Sequence, residues 1–334
     1  MIRVYFAVPA MEQHGGGGMK FLNALYRALA RSGQIASRPE DATVFLCNSH
    51  HDYRRVIRLK EKFPGIPLVH RIDGPIVDYN TPTDPRHFSA NALDELYADG
   101  VIFQSAWSYR RNMELGLAPP EQYEIIHNAP DPDLFFPGDA LPLSGETPFR
   151  VFCSSWSRNV NKGFASLERL DGTLDFSRYE INFYGRLPGK LKNIKVHPPV
   201  PHEDVPQALR GHHAFFFPSK VECCSNALLE ALHCRLPVVA FNGSSNPELV
   251  GNGGLLFDDD AQLPQMFDTL RSHYHRYRSG IRCLSFGEVV ERYRNFMQSV
   301  TVADCGGFWS RKKRKAFFLL RVVKAGLRHK VSGR

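Results

Sequence analysis

Val221-Glu222-Cys223-Cys224-Ser225-Asn226-Ala227-Leu228-Leu229-Glu230-Ala231-Leu232-His233-Cys234-Arg235-Leu236-Pro237-Val238-Val239-Ala240 is the stretch whose reading decides the fold. An apolar run, Ala214-Phe215-Phe216-Phe217, precedes it and enters Pro218-Ser219. A polar turn then carries Glu222, a helix is expected from about Ser225, and a second apolar strand begins at Val238. Strand, helix and strand make a βαβ unit. Its two carboxylates stand eight residues apart, one before the helix and one just over a turn inside it. Between them lie first-turn backbone N–H groups that have no partner within the helix. Such an arrangement suits a ligand with phosphates in its middle and hydroxyls at both ends, the form of a nucleotide-sugar. The plain alternative is an ordinary crossover with two solvated glutamates.

Working outward, Pro218-Ser219, Glu222, Glu230-Ala231 and Pro237-Val238-Val239-Ala240 fall in a fixed register. This register resembles the Glu-x7-Glu signature of retaining GT-B glycosyltransferases of glycosyltransferase family 4 (glycosyl transferases group 1). Cys223-Cys224-Ser225 replaces the usual Phe-Gly after the first glutamate, and Leu236 replaces the usual Gly before Pro237. The resemblance implies an α/β fold of two Rossmann-like domains facing across a cleft.

A chain of 334 residues is long enough for two domains with full cores. Apolar content of 43% and charged content of 23% belong to a globular protein. Seven cysteines show no paired ligand spacing, and their odd number favours a reducing compartment. Met1–Phe6 runs straight into a strand-like segment, so no secretory signal is expected there, and no apolar run approaches a membrane-spanning length of about 18 residues. The expected location is cytoplasmic, peripheral on the inner face of a membrane.

The net charge of +8 is unevenly placed. Residues 305–334 hold ten Lys or Arg and no acid, and removing those ten charges leaves −2 for residues 1–304. A nucleic-acid-binding body would carry its own basic face, so no nucleic acid is expected as a partner. Gly306-Gly307 sets this basic segment off. A helix over 311–330 would gather Ala316, Leu319, Leu320, Val323 and Leu327 on one face, with Arg321, Lys324 and Arg328 to one side. Residues 308–330 are therefore expected to lie on an anionic membrane surface. A helix packed on the body and a nucleic-acid-binding tail are the alternatives.

The expected organisation is an N-terminal Rossmann-like domain at 1–140, a turn-rich linker at 141–149, a second Rossmann-like domain at 150–304, and a basic tail at 305–334. In the first domain, Val4–Val8 leads into Gly15-Gly16-Gly17-Gly18 and an amphipathic helix ending near Ser32-Gly33. Glycine lets a backbone come close to a ligand, so this is a candidate phosphate-approach loop. The dinucleotide fingerprint is not met, because Lys20 stands where its last glycine belongs. His70 sits at the end of another strand, before Asp73-Gly74. Strands alternating with helices imply a parallel sheet with ligands at the strands' C-terminal ends.

In the second domain, Arg150–Cys153 restarts the series and is followed by Arg158 and Lys162-Gly163. His50-His51, His212-His213, His273 and His275 have no carboxylate or cysteine at a ligand spacing, so neither a metal nor another cofactor is expected.

The resemblance also implies roles. Glu230 would hold the ribose hydroxyls. Ser225 and Asn226 amides, with Lys162 and Arg158, would hold the diphosphate. Glu222 would hydrogen-bond the transferred sugar, Gly16 and Gly17 would close on it, and His70 would face it as a catalytic residue. The implied partners are a nucleotide-sugar donor and a glycan or lipid-linked acceptor. Two other readings stay open, a nucleotide-sugar epimerase of the same fold and a non-catalytic binding protein that uses the basic tail.

Overall fold

The computed structural model describes residues 2–8, 17–143, 147–302, 316–317, 319–321 and 323. The chain divides into two compact units: Met1–His127 with Gly287–Arg334, and Asn128–Phe286.

The first unit holds a parallel sheet in the order β1-β2-β3-β4-β5. Its strands are β1 (Val4–Phe6), β2 (Val44–Asn48), β3 (Leu68–Ile72), β4 (Gly100–Phe103) and β5 (Tyr123–Ile125). After β1 the Gly17–Arg31 helix returns the chain to Ile35, which bridges Val4. The next strand pairs with β1 as well, by the register Val4 to Val44. The chain thus leaves β1 to one side and comes back on the other, so the winding of the connections reverses at β1/β2 while the strands stay parallel. β2 and β3 are buried at every position, as expected of strands covered on both faces.

Helix Pro85–Tyr97 packs on this sheet and starts at Asp84, whose side chain accepts the Arg86 N–H. Helix Phe286–Ser299 buries Val289, Tyr293, Phe296 and Met297. Its Tyr293 ring lies 5.5 Å from that of Phe21, and Gly100 has no room for a side chain because Val300 would sit 2.7 Å from an added Cβ. From Gly287 onward the chain therefore belongs with the first unit. Sequence reading set the boundaries at the 141–149 linker and at 304. Periodicity reveals that a helix has a face to bury, but not which sheet will bury it.

The second unit holds a parallel sheet ordered β11-β10-β9-β6-β7-β8. These strands are β6 (Phe149–Ser155), β7 (Tyr179–Gly185), β8 (Lys195–His197), β9 (Ala214–Phe217), β10 (Val238–Phe241) and β11 (Gly254–Phe257). Alternation splits the apolar side chains between two cores. Val151, Cys153, Phe183, Phe216 and Val239 pack on one face. Phe152, Phe215, Phe217, Val238 and Ala240 pack on the other. The chain winds outward from β6 to β8, then returns to β9 on the opposite side of β6. That reversal opens the crevice between the C-terminal ends of β6 and β9, where open α/β sheets bind ligands.

Candidate donor site

The loops after β6 and β9 meet at this reversal. Lys162 follows β6 and Glu222 follows β9, and Lys162 Nζ donates to Glu222 Oε1 at 2.6 Å. Ser219 Oγ donates to the same oxygen at 2.6 Å. Glu222 is buried, at 7% exposed, so its charge needs both partners.

Gly163 makes the meeting of the loops feasible. It adopts φ +74°, and an added Cβ would fall 2.1 Å from the Pro218 carbonyl oxygen. Only a residue without a side chain lets the β6 loop lie against the end of β9. The Glu222 backbone is tied from a third side. Its N–H donates to Ser244 Oγ at 3.0 Å, and its carbonyl accepts the Ser245 N–H at 3.2 Å. Asn246 Nδ2 donates to the Ser219 carbonyl at 2.8 Å, which fixes the residue that holds the carboxylate.

Helix Asn226–His233 starts directly after this loop. Ser225 is its N-cap, and the Ser225 hydroxyl accepts the Leu228 N–H. The N–H groups of Asn226 and Ala227 have no acceptor among the described residues. Asn128 braces this helix end, donating from Nδ2 to Asn226 Oδ1 at 3.1 Å and from its backbone N–H to Cys224 Sγ at 3.4 Å. Cys224 therefore belongs to the packing under the helix start. Glu230 sits one turn in, with Oε1 3.1 Å from His202 Nε2, and the His202 ring lies against Phe135.

The structure thus brings together Glu222, Lys162, Ser225, Asn226 and Glu230. Arg158 is exposed and makes no ion pair or hydrogen bond among the described residues. Ser219, Ser244, Asn246 and His202 join the site, and sequence reading gave none of them a role. Ser219 was visible as part of Pro-Ser. His202 and Ser244 lie in loops and Asn246 opens the Asn246–Val250 helix, and the approach of all three depends on sheet order.

In the first unit, Gly17 opens the Gly17–Arg31 helix, and Gly16 lies outside the described residues. A Cβ on Gly18 would stand 3.3 Å from Asp73 Oδ1, so a carboxylate already lies against the first turn of this helix. Asp73 is held by Arg71 Nη1 at 2.7 Å, Asn48 Nδ2 at 2.9 Å and Gln104 Nε2 at 3.0 Å. The expected phosphate approach at the glycine run would have to share the helix end with that carboxylate.

His70 is fully buried. Its Nδ1 lies 2.6 Å from Asp94 Oδ1, and its Nε2 lies 2.8 Å from the Ser49 carbonyl. Both ring nitrogens face acceptors, an arrangement that suits an imidazolium. Burial opposes the charge most strongly, but Asp94 and the Ser49 carbonyl outweigh it and raise the histidine's pKa. The Ser49 that His70 holds has φ +48°, and Asp52 nearby has φ +49°. A left-handed backbone in a non-glycine residue persists only when its surroundings enforce it. His70 accordingly braces the loop after β2, and neither ring nitrogen is open to a ligand in this arrangement.

No group of three or more His, Cys, Asp or Glu able to hold a metal occurs among the described residues. None of their helices is long and apolar enough to cross a membrane.

Residues 178–273 match the family model described as glycosyl transferases group 1. The O-antigen chain mannosyltransferase B of Escherichia coli is 38% identical over 74 residues. That match covers 22% of this chain and spans only 18% of the mannosyltransferase. Anabaena Alr3699/HepE in complex with UDP and glucose superposes with a TM-score of 0.69 at 15% identity, over 90% of this chain and 100% of that one. The apo lipopolysaccharide outer core galactosyltransferase WaaB gives a TM-score of 0.65 at 11% identity, over 89% of this chain and 99% of that one. The chain has the GT-B glycosyltransferase fold. In this GT-B chain the family match spans β7 to β11, and so includes the Glu222–Glu230 segment.

Proposed function

We propose that this protein is a glycosyltransferase. It moves a sugar from a nucleoside-diphosphate-sugar to a hydroxyl of a glycan or lipid-linked acceptor, with retention of anomeric configuration. The observation that carries this reading is the start of helix Asn226–His233, where the Asn226 and Ala227 amides have no acceptor among the described residues, beside Lys162 and between Glu222 and Glu230.

In the reaction, the bond from the anomeric carbon to the diphosphate breaks and its electron pair goes to the leaving group. The acceptor oxygen bonds to that carbon on the same face, and its proton is released. Charge grows on the diphosphate as the bond breaks. Fixed donors aimed at that charge lower the barrier. Lys162, the Ser225 and Asn226 amides and the exposed Arg158 supply them without calling on a metal. Glu230 takes the ribose hydroxyls and Glu222 a hydroxyl of the transferred sugar, with Gly16 and Gly17 closing on that sugar. His70 acts by holding the β2 loop. The matches to an O-antigen mannosyltransferase and to a UDP-bound structure support a sugar-nucleotide donor and a glycan acceptor.

The basic segment 308–330 places this enzyme on an anionic membrane. Ten basic residues without an acid over 305–334, and the exposure of Leu319, Leu320 and Val323, support that location. Co-sedimentation with anionic vesicles tests it, and no binding would remove it.

The test of the reaction is thermal shift against nucleoside diphosphates and their sugars, followed by turnover of the stabilising donor. Transfer and donor hydrolysis should be lost in Lys162→Ala and in Glu230→Ala. Turnover like that of the wild type in both variants would exclude the proposal. Label moving from donor to acceptor would exclude epimerisation.

A further inference from the structure

A cavity of about 380 Å³ runs along β7 in the second unit. Strand alternation turns Glu180, Asn182 and Tyr184 to one face of β7. Helix Val205–Arg210 and its flanks face them with Asp204, Gln207, Ala208 and Gly211, spaced as one side of a helix. Arg150, at the start of β6, and His212, just before β9, complete the lining. The cavity therefore reaches the N-terminal ends of the strands, whereas Lys162 and Glu222 follow their C-terminal ends.

The half-buried Arg150 guanidinium and Tyr184 hydroxyl make no hydrogen bond among the described residues, and the Gln207 amide beside them is exposed. His212 is buried, at 8% exposed. Its Nδ1–H donates to the Ala208 carbonyl at 2.7 Å, which leaves Nε2 as an acceptor, and that buried atom has no donor. Burial pushes this ring's pKa down to about 4, so it stays neutral.

Charge at the cavity is balanced. Glu180 is already neutralised by Lys195 Nζ at 2.6 Å and hydrogen-bonded by Asn182 Nδ2 at 2.8 Å. Arg150 and Asp204 offset each other. The Tyr184 ring is clamped between Phe152 at 4.8 Å and His197 at 4.5 Å, both nearly parallel to it, so its hydroxyl is held rigidly. Donors and acceptors are mixed, and there is no net charge to attract an anion. Groups that donate and accept at once satisfy such a lining best, and hydroxyls are that kind of group. The volume falls in the range of about 300–1,000 Å³ typical of small-molecule sites.

We propose that this cavity binds a neutral saccharide of one or two residues, at a site separate from the diphosphate-facing helix end. The assignment stands apart from the donor reading. If both hold, the second unit grips a distal part of a glycan as well as the donor.

The test is saturation-transfer NMR on the full chain with maltose, lactose and α-1,3-mannobiose. At least one should receive saturation, and excess UDP or GDP should not displace it. Ala208→Arg, which fills the cavity from a half-buried helix position, should weaken the signal at least fivefold. So should Tyr184→Phe combined with Gln207→Ala, which keeps the proposal testable if the larger side chain unfolds the protein. Glu230→Ala should leave the signal unchanged. The proposal is overturned if no sugar receives saturation, if a nucleotide displaces it, or if both cavity variants bind like the wild type. A wild-type protein that binds saccharide but turns over no nucleotide-sugar donor would sink the transferase reading alone.

Discussion

Lys162 Nζ and Glu222 Oε1 stand 2.6 Å apart although sixty positions separate them in the chain. The Lys162 side chain is 25% exposed and that of Glu222 is 10% exposed. In this arrangement the lysine charge is spent on a carboxylate. Under the proposed function, a diphosphate arriving at the helix end would compete for it and so free Glu222 to accept a sugar hydroxyl. Lys162→Ala should lower kcat/KM for the donor by about 10²–10³, the scale seen when one donor to a developing charge is removed. Steady-state kinetics at saturating acceptor would decide this, and a change below threefold would refute it.

Gly163→Ala should act on the same contact indirectly. The new methyl group would meet the Pro218 carbonyl oxygen and would also sit at φ +74°. The loop must move, and Ser219 moves with Pro218. Destabilisation of about 1–3 kcal/mol from strain is expected, together with weaker donor binding. Denaturant melts and nucleotide titrations would measure the two effects. A melt unchanged within error would show that the loop adapts freely.

Glu230 is assigned to the ribose. Glu230→Gln should therefore narrow the preference for a ribonucleotide donor over its 2′-deoxy analogue, by about tenfold for the loss of one charge-assisted hydrogen bond of about 1.5 kcal/mol. Competition binding with the two nucleotides would reveal it. Equal discrimination in mutant and wild type would take the ribose away from Glu230.

The buried pair of His70 and Asp94 has a signature in pH. The folded histidine pKa is raised above its ordinary 6.5. Its contribution to stability is then complete below about 6.5 and fades as pH climbs through the higher folded value. His70→Gln should destabilise by about 3–5 kcal/mol, because Asp94 is left buried without its partner. The alkaline decline should also flatten in the variant. Thermal melts from pH 6 to 9 would show this, and parallel curves for the two proteins would contradict it.

His87, His212 and His233 run in the opposite direction, since burial lowers each to about 4. The unfolded chain binds protons at these sites near pH 6.5 while the folded chain does not. Stability should fall as pH drops from about 6.5 toward 4. A melting temperature independent of pH over that interval would count against the buried neutral rings.

Much of this architecture could be read from residues alone, because buried parallel strands announce themselves as short apolar runs. Ala214–Phe217 and Val238–Phe241 are examples, and Ser225 marked the helix between them by its capping chemistry. Helix Pro85–Tyr97 was harder to see. Asp84 and Pro85 signal its start, but His87, Asn91 and Asp94 are buried polar residues that blur its apolar face. The identities of Lys162, Glu222 and Glu230 were legible as well. Ser244 and Asn246 were not, since their value lies in reaching Glu222 and Ser219 from the far side of β10. His70 looked available because it ends a strand, and only its neighbours Asp94 and Ser49 reveal how fully it is engaged.

The return of Gly287 and the residues after it to the first unit bears on how the protein is made. Asn128–Phe286 is continuous, so it can condense as soon as it leaves the ribosome. Residues 2–127 precede that unit in the chain, yet they must wait for helix Phe286–Ser299 before Arg71 finds the Tyr293 hydroxyl and Gly100 is covered by Val300. During that interval their apolar strands stand open to chaperones and to aggregation. Truncation anywhere before about residue 300 should therefore harm the opposite end of the chain from the one removed.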